Sequence, residues 1–159
     1  MGAGKTTVAG LLGRRWGVEV RDTDADVEAR TGKTVSDIFV EDGEVAFRRL
    51  EAEAVAQALA EHPGVLALGG GAVLDPETRE RLAGHRVVFL QVGLSEAVKR
   101  VGLGVGRPLL LGNVRSRIKA LLDERAPIYR EVASDVVDTD DRSPEDVAEE
   151  IVRLLAGAS

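Results

Sequence analysis

The chain opens Met1-Gly2-Ala3-Gly4-Lys5-Thr6-Thr7 and runs straight into Val8, Leu11 and Leu12 at helical spacing. Gly4-Lys5-Thr6 supplies the last three letters of the phosphate-binding pattern G-x-x-x-x-G-K-[ST]. The first glycine of that pattern falls two residues before Met1. Glycines here let backbone N–H groups face phosphate oxygens with no Cβ in the way, and the helix that follows adds the positive end of its dipole. Lys5 can reach the β- and γ-phosphates, and the Thr6 hydroxyl can bind Mg²⁺. The competing reading is a flexible glycine-rich N-terminus that matches the motif by chance.

The rest of the chain alternates short apolar strands with amphipathic helices. Strands are expected at Val18–Val20, Val65–Leu68, Val87–Val92 and Asp135–Val137. Helices are expected at Asp26–Arg30 with Gly32 beyond, near Val35–Phe39, and from Gly43 to Pro63 with Phe47, Leu50, Ala54 and Ala58 on one face. Asp75-Pro76 and Ser143-Pro144 read as an N-cap followed by proline at the first helical position. Ser95 is expected to cap a helix that breaks into the glycine-rich segment Gly102–Gly112, and Val114 to about Ala126 returns to helix. This alternation predicts one α/β domain of 159 residues with a mainly parallel sheet, whose ligands gather beyond the carboxyl ends of the strands.

Composition narrows the function. The net charge of −6 argues against nucleic acid or an anionic membrane as partner, so anionic ligands must be held by local basic residues. With no cysteine, thiolate catalysis and Cys-ligated zinc are excluded. His62 and His85 each lie near a glycine in a turn and read as surface residues. No stretch of 18 apolar residues and no leader precedes the first helix, which predicts a cytoplasmic protein.

Five segments can carry chemistry. Asp22 and Asp24 end a short strand, where a period of two would point both carboxylates the same way, one toward a metal's water shell and one toward a substrate hydroxyl. The alternative is an exposed acidic turn. Arg48 and Arg49 lie on a helix and could fork a carboxylate, or could form a solvated face with Glu51 as neighbour. Gly69, Gly70 and Gly71 follow an apolar strand, and close approach of a ligand to the backbone explains all three. Gly102 to Pro108 joins glycines to Arg107, which suits a lid that brings a cation to the transferring phosphoryl group. Arg125, in Arg125-Ala126-Pro127-Ile128-Tyr129 at a helix end, offers a further cation.

Taken in order, these segments resemble the shikimate kinase family. The matching pieces are G-A-G-K-T-T, D-T-D-x-D-V-E-x-x-x-G at Asp22–Gly32, I-F-x-x-x-G-E-x-x-F-R-x-x-E at Ile38–Glu51, L-G-G-G-A at Leu68–Ala72, R-P-L-L at Arg107–Leu110 and R-A-P-x-Y at Arg125–Tyr129. The resemblance implies a three-layer α/β/α P-loop kinase fold, with a substrate-binding helical region at about 24–60 and a lid at about 102–113. It implies transfer of the ATP γ-phosphoryl group to the 3-hydroxyl of shikimate, on the route to chorismate and the aromatic amino acids. Carried over by motif, Gly2, Ala3, Gly4, Lys5, Thr6 and Thr7 hold ATP, and Thr6 and Asp22 serve Mg²⁺. Asp24 contacts the reacting hydroxyl, while Arg48, Arg125 and the Gly69, Gly70 and Gly71 turn hold shikimate. Lys5, Asp24 and Arg107 are the catalytic set, and Arg100 and Pro144 flank the adenine. A monomer is expected.

The family's central first strand is absent from this chain. A buried strand of about five apolar residues is worth on the order of 10 kcal/mol before entropy costs, comparable to the ~5–15 kcal/mol stability of a domain. The 159 residues alone are therefore expected to be unstable or poorly active, with Met1 an internal methionine of a longer protein. Another small-molecule kinase, or an inactive nucleotide-binding fragment, are the competing readings of function.

Overall fold

A computed structural model describes residues 4–97, 99 and 111–157. They fall into two compact units, Ala9–His85 and a second formed by the residues up to Val8 with those from Arg86 onward. Helix α1 (Lys5–Trp16) runs unbroken from one unit into the other.

In the unit Ala9–His85, strand β1 (Val20–Asp22) pairs in parallel with β2 (Val65–Ala67), Val20 opposite Val65 and Asp22 opposite Ala67. The strand begins two residues later than the apolar run suggests. Gly17 takes φ +64°, and Val18 turns back to donate its N–H to Gly13, so the run's first residues close a turn. Helix α2 (Thr23–Thr31) follows β1 with no loop, and Gly32 ends it at φ +71° with its N–H on the Glu28 carbonyl. Thr34 caps α3 (Val35–Glu41), and Gly43, at φ +89°, turns the chain into α4 (Glu44–Glu61). Val27, Ile38, Phe47 and Ala54 form the buried centre where these helices meet, flanked by Val35 and Leu50. The expected apolar face of α4 thus does its work in the core. Polar groups stitch the outside. Arg21 of β1 reaches Asp26 at 2.7 Å and Glu61 at 3.3 Å, and Gln57 of α4 donates to Glu61 while accepting from Arg30 of α2. After β2 come the glycine turn, one turn of 3₁₀ helix (Ala72–Leu74) and α5 (Pro76–Leu82). Asp75 caps α5 by accepting from the backbone N–H and the hydroxyl of Thr78.

In the other unit, β3 (Val88–Gln91) pairs in parallel with β4 (Asp135–Asp138), Val88 opposite Asp135 and Gln91 opposite Asp138. Residues 94–97 are helical, beginning at Leu94. Ser95 therefore lies inside the first turn rather than capping it, and Ala97 donates back to the Gly93 carbonyl. Helix α6 (Leu111–Val132) is longer than the sequence suggests at both ends. It passes through Pro127, which gives up one i→i−4 bond at a cost of about 3 kcal/mol. Tyr129, two residues on, packs on Phe89 of β3 with ring centroids 4.7 Å apart and planes tilted by 32°. Helix α7 (Pro144–Ala156) starts at the Ser143 cap and buries Val147 and Ile151.

All strand pairing is parallel, as expected of the α/β class, but among the described residues it forms two separate two-stranded ladders rather than one sheet. No helix in the described residues is long and apolar enough to cross a membrane.

Candidate active site

The described part of the N-terminal motif begins at Gly4, just ahead of α1. Gly4 sits at φ +74°, a conformation that favours glycine, and its carbonyl accepts from Val8 to close the first turn. Lys5, Thr6 and Thr7 fill that turn, whose N–H groups have no acceptors within the helix. Lys5 is half-buried, whereas Thr6 and Thr7 are exposed. Gly2 and Ala3 lie outside the described residues.

Asp22 and Asp24 are not arranged by strand alternation, because β1 ends at Asp22 and Asp24 belongs to the first turn of α2. Asp22 is instead the N-cap, its Oδ1 accepting from the Asp24 backbone N–H at 2.8 Å. Strand-to-helix conversion at this point separates the two carboxylates by role. One is tied to the backbone, and the other is carried at the positive end of a helix dipole. Thr23 between them is fully buried.

Asp24, Arg48, Gly69 and Gly71 come together in one place. Arg48, on α4, is half-buried and donates from Nη1 to Oε1 of Glu51 at 2.8 Å, while its Nε lies 3.6 Å from Glu44. Arg49 points to solvent, so only one of the two adjacent arginines belongs to the cluster. A Cβ at Gly69 would sit 2.8 Å from Oδ1 of Asp24 and 2.9 Å from Oε2 of Glu51, and one at Gly71 would overlap the Arg48 guanidinium. Neither of these glycines has a positive φ; Gly71 lies at φ −94°, ψ −1°, which any residue can adopt. The expectation that a ligand alone explains the triplet therefore needs revision. The protein's own carboxylates and guanidinium occupy the space that side chains at Gly69 and Gly71 would take.

Three residues beside Arg48 were given no role in the site by the sequence. Glu51 is 2% exposed and anchors Arg48, a role its spacing of three residues on a helix could have signalled. Phe39 and Phe47 place their rings 5.9 and 5.3 Å from Cζ of Arg48. Nothing in the spacing of the two phenylalanines marks a cation contact, since either reads as ordinary core.

The other predicted residues belong to the second unit. Arg125 is half-buried in the middle of α6, not at a helix end, because the helix continues through Pro127. Pro144 opens α7 on a firmly held loop. Arg142 donates to the carbonyls of Asp138 and Asp146 and pairs with Glu150 at 2.8 Å, and the Asp140 carboxylate accepts from the Gly93 N–H. Arg100, Arg107 and the lid residues 102–110 lie outside the described residues, while 111–113 of the expected lid are the start of α6. His62 is more than a surface turn residue: Nε2 lies 3.1 Å from the Glu19 carbonyl and 3.0 Å from that of Val65, bracing the approach to β1 and β2.

The sequence profile described as shikimate kinase matches residues 1–156. A shikimate kinase of Thermobifida fusca is 62% identical over 157 residues, covering 99% of this chain and 91% of that protein. One from Frankia casuarinae is 59% identical, covering 99% of this chain and 72% of the relative. Among solved structures, shikimate kinase from Acinetobacter baumannii in complex with shikimate superposes with a TM-score of 0.91 at 36% identity, covering 99% of this chain and 89% of that one. The enzyme from Aquifex aeolicus gives 0.86 at 32% identity, with 99% and 92% covered.

Proposed function

Because the chain belongs to the shikimate kinase family, we propose that its kinase reaction moves the γ-phosphoryl group of ATP to the 3-hydroxyl of shikimate. The products are shikimate 3-phosphate and ADP, in the biosynthesis of chorismate and the aromatic amino acids. The observation that carries this reading is the cluster of Asp24, Arg48 and Glu51 packed on the Gly69–Gly71 turn. It offers a carboxylate for a hydroxyl beside a guanidinium for a carboxylate, the two ends of a hydroxylated ring acid.

In this assignment the first-turn amides of α1, with Gly2, Ala3, Gly4 and Thr7, cradle the phosphates, and Lys5 meets the β- and γ-phosphates. Asp24 accepts the acceptor hydroxyl's hydrogen bond and orients its oxygen in line with the γ-phosphorus. Arg48 and Arg125 hold the carboxylate, assisted by backbone of Gly69, Gly70 and Gly71. Arg107 supplies positive charge to the transferring group, and Arg100 and Pro144 flank the base. Thr6 and Asp22 would hold Mg²⁺; a hydroxyl and a carboxylate are the hard oxygen donors this ion takes, and Asp22 keeps its second oxygen clear of the N-cap bond. Once bound, the ion would neutralise phosphate charge. The chain's own part is positioning and electrostatic stabilisation, with no covalent protein intermediate.

A coupled assay of ADP release tests the assignment. Shikimate should stimulate release, and Asp24→Asn should cut kcat by roughly a hundredfold or more, the usual contribution of a positioned acid–base group. Equal ADP release with and without shikimate would refute it.

A further inference from the structure

Among the described residues, Asp141 is the one non-glycine residue with a positive φ, 55°. Aspartate visits the left-handed region more readily than most residues, yet holding it there costs energy that neighbouring contacts have to offset. Those contacts lie on both sides of it. The buried Thr139 donates its N–H and its hydroxyl to the Gln91 carbonyl, each at 2.9 Å. The Asp140 carboxylate straddles the Gly93 N–H, its two oxygens 3.0 and 3.1 Å from the nitrogen. Arg142 reaches the carbonyls of Asp138 and Asp146 and the Glu150 carboxylate, and Ser143 caps α7. Every neighbour of Asp141 in residues 139–143 is thus tied down.

The ties of Thr139 and Asp140 end on Gln91 and Gly93, at and just past the carboxyl end of β3, where ligands of a parallel sheet gather. Gly93 has no positive φ; what forbids a side chain there is the Asp140 carboxylate, which a Cβ would overlap. Val137 and Val147 already anchor β4 and α7 in the core, so an exposed bond on the segment between them adds little to stability. A segment immobilised at a strand end, at a conformational cost and for little gain in stability, is preorganised for a ligand. We propose that Asp140 is a positioning residue for the nucleotide base. By fastening residues 139–143 to Gly93, it fixes where Pro144 stands relative to the segment that continues in sequence to Arg100. This inference rests on the assignment of Pro144 and Arg100 to the base.

The test uses the whole protein and compares ATP with inorganic tripolyphosphate, which has phosphates and no base. Asp140→Ala should raise the KM for ATP roughly three- to tenfold, the worth of ordering one or two side chains on binding, while kcat and the KM for shikimate stay put. Inhibition by tripolyphosphate should be the same in wild type and Asp140→Ala. Asp140→Asn, which keeps an oxygen for the Gly93 N–H, should restore the KM for ATP. Gly93→Ala, whose methyl group displaces the carboxylate, should match Asp140→Ala, and the double variant should be no worse than either. An unchanged KM for ATP in either single variant overturns the inference, as do additive losses in the double variant or a failure of asparagine to rescue. Equal weakening of ATP and tripolyphosphate also overturns it, because the segment would then act on the phosphates or on the fold. Wild-type enzyme that binds tripolyphosphate as tightly as ATP would instead overturn the assignment of Pro144 and Arg100, a separate failure read on the unmutated chain.

Discussion

Gly71 shows most clearly how single residues shape this site. Its φ of −94° and ψ of −1° are open to alanine, so backbone conformation does not require glycine there. Crowding does: one added methyl group meets the guanidinium of Arg48, which Glu51 already pins. Gly71→Ala should therefore fold, displace Arg48, and raise the KM for shikimate roughly tenfold, the equivalent of about 1.4 kcal/mol of overpacking strain, with the KM for ATP little changed. Steady-state kinetics with each substrate varied in turn checks this; an unaltered shikimate KM would mean the guanidinium gives way freely. At this scale the sequence singled out side chains that the fold brings together, and not how they meet. Asp24, Arg48 and the glycines were legible from motif and spacing. Their mutual contacts were not, because Asp24 lies 45 residues before Gly69 and only the parallel pairing of β1 with β2 brings their strand ends together.

Among the elements, helix punctuation was the most readable feature. Asp75 and Ser143 each cap a helix through a side-chain bond ahead of proline, and Gly32 and Gly43 adopt the positive φ that punctuating glycines take. Readings failed where tertiary packing overrode a local rule. Proline did not stop α6, where Tyr129 beyond it packs on Phe89, and the alternation of β1 gave way to the N-cap at Asp22. The seam joining β1, α2 and α4 carries a measurable pH signature. Hydrogen bonds from Gln57 and then from Arg21 hold the Glu61 carboxyl below the ordinary carboxylate range. A carboxylate depressed in the folded state adds stability above its unfolded pKa and loses it as pH falls through the folded value. Urea midpoints should accordingly drop as pH falls from about 5 to about 3, and Glu61→Gln should flatten part of that drop. A Glu61→Gln profile parallel to wild type would remove this seam from the account of acid sensitivity.

For the whole molecule, the chain's alternation of strands and helices was enough to place it in the α/β class, and its ordered motifs were enough to place it in a family. Its separation into two compact units was not foreseen, because periodicity reports on elements and says nothing of how contacts cluster. Helix α1 is shared by both, with Lys5 in one and Trp16 in the other. Trp16 is the only tryptophan, so its fluorescence reports on the unit Ala9–His85, whereas far-UV circular dichroism reports on every helix. If the 159 residues form a single kinase domain, the two signals should trace one coincident thermal transition, the mark of all-or-none unfolding. Fluorescence that melts at a different temperature from the dichroism would divide the chain into separately folding parts.

The crowding of Gly71 by Arg48 also bears on how such an enzyme changes its acceptor over evolutionary time. Any side chain at the third glycine has to wait for the arginine to shrink, and, on the role proposed for Arg48, a smaller residue there forfeits the hold on the anion before anything can fill the gap. The two positions are thus bound into one heritable unit, and routes toward uncharged alcohols pass through intermediates that serve neither substrate well.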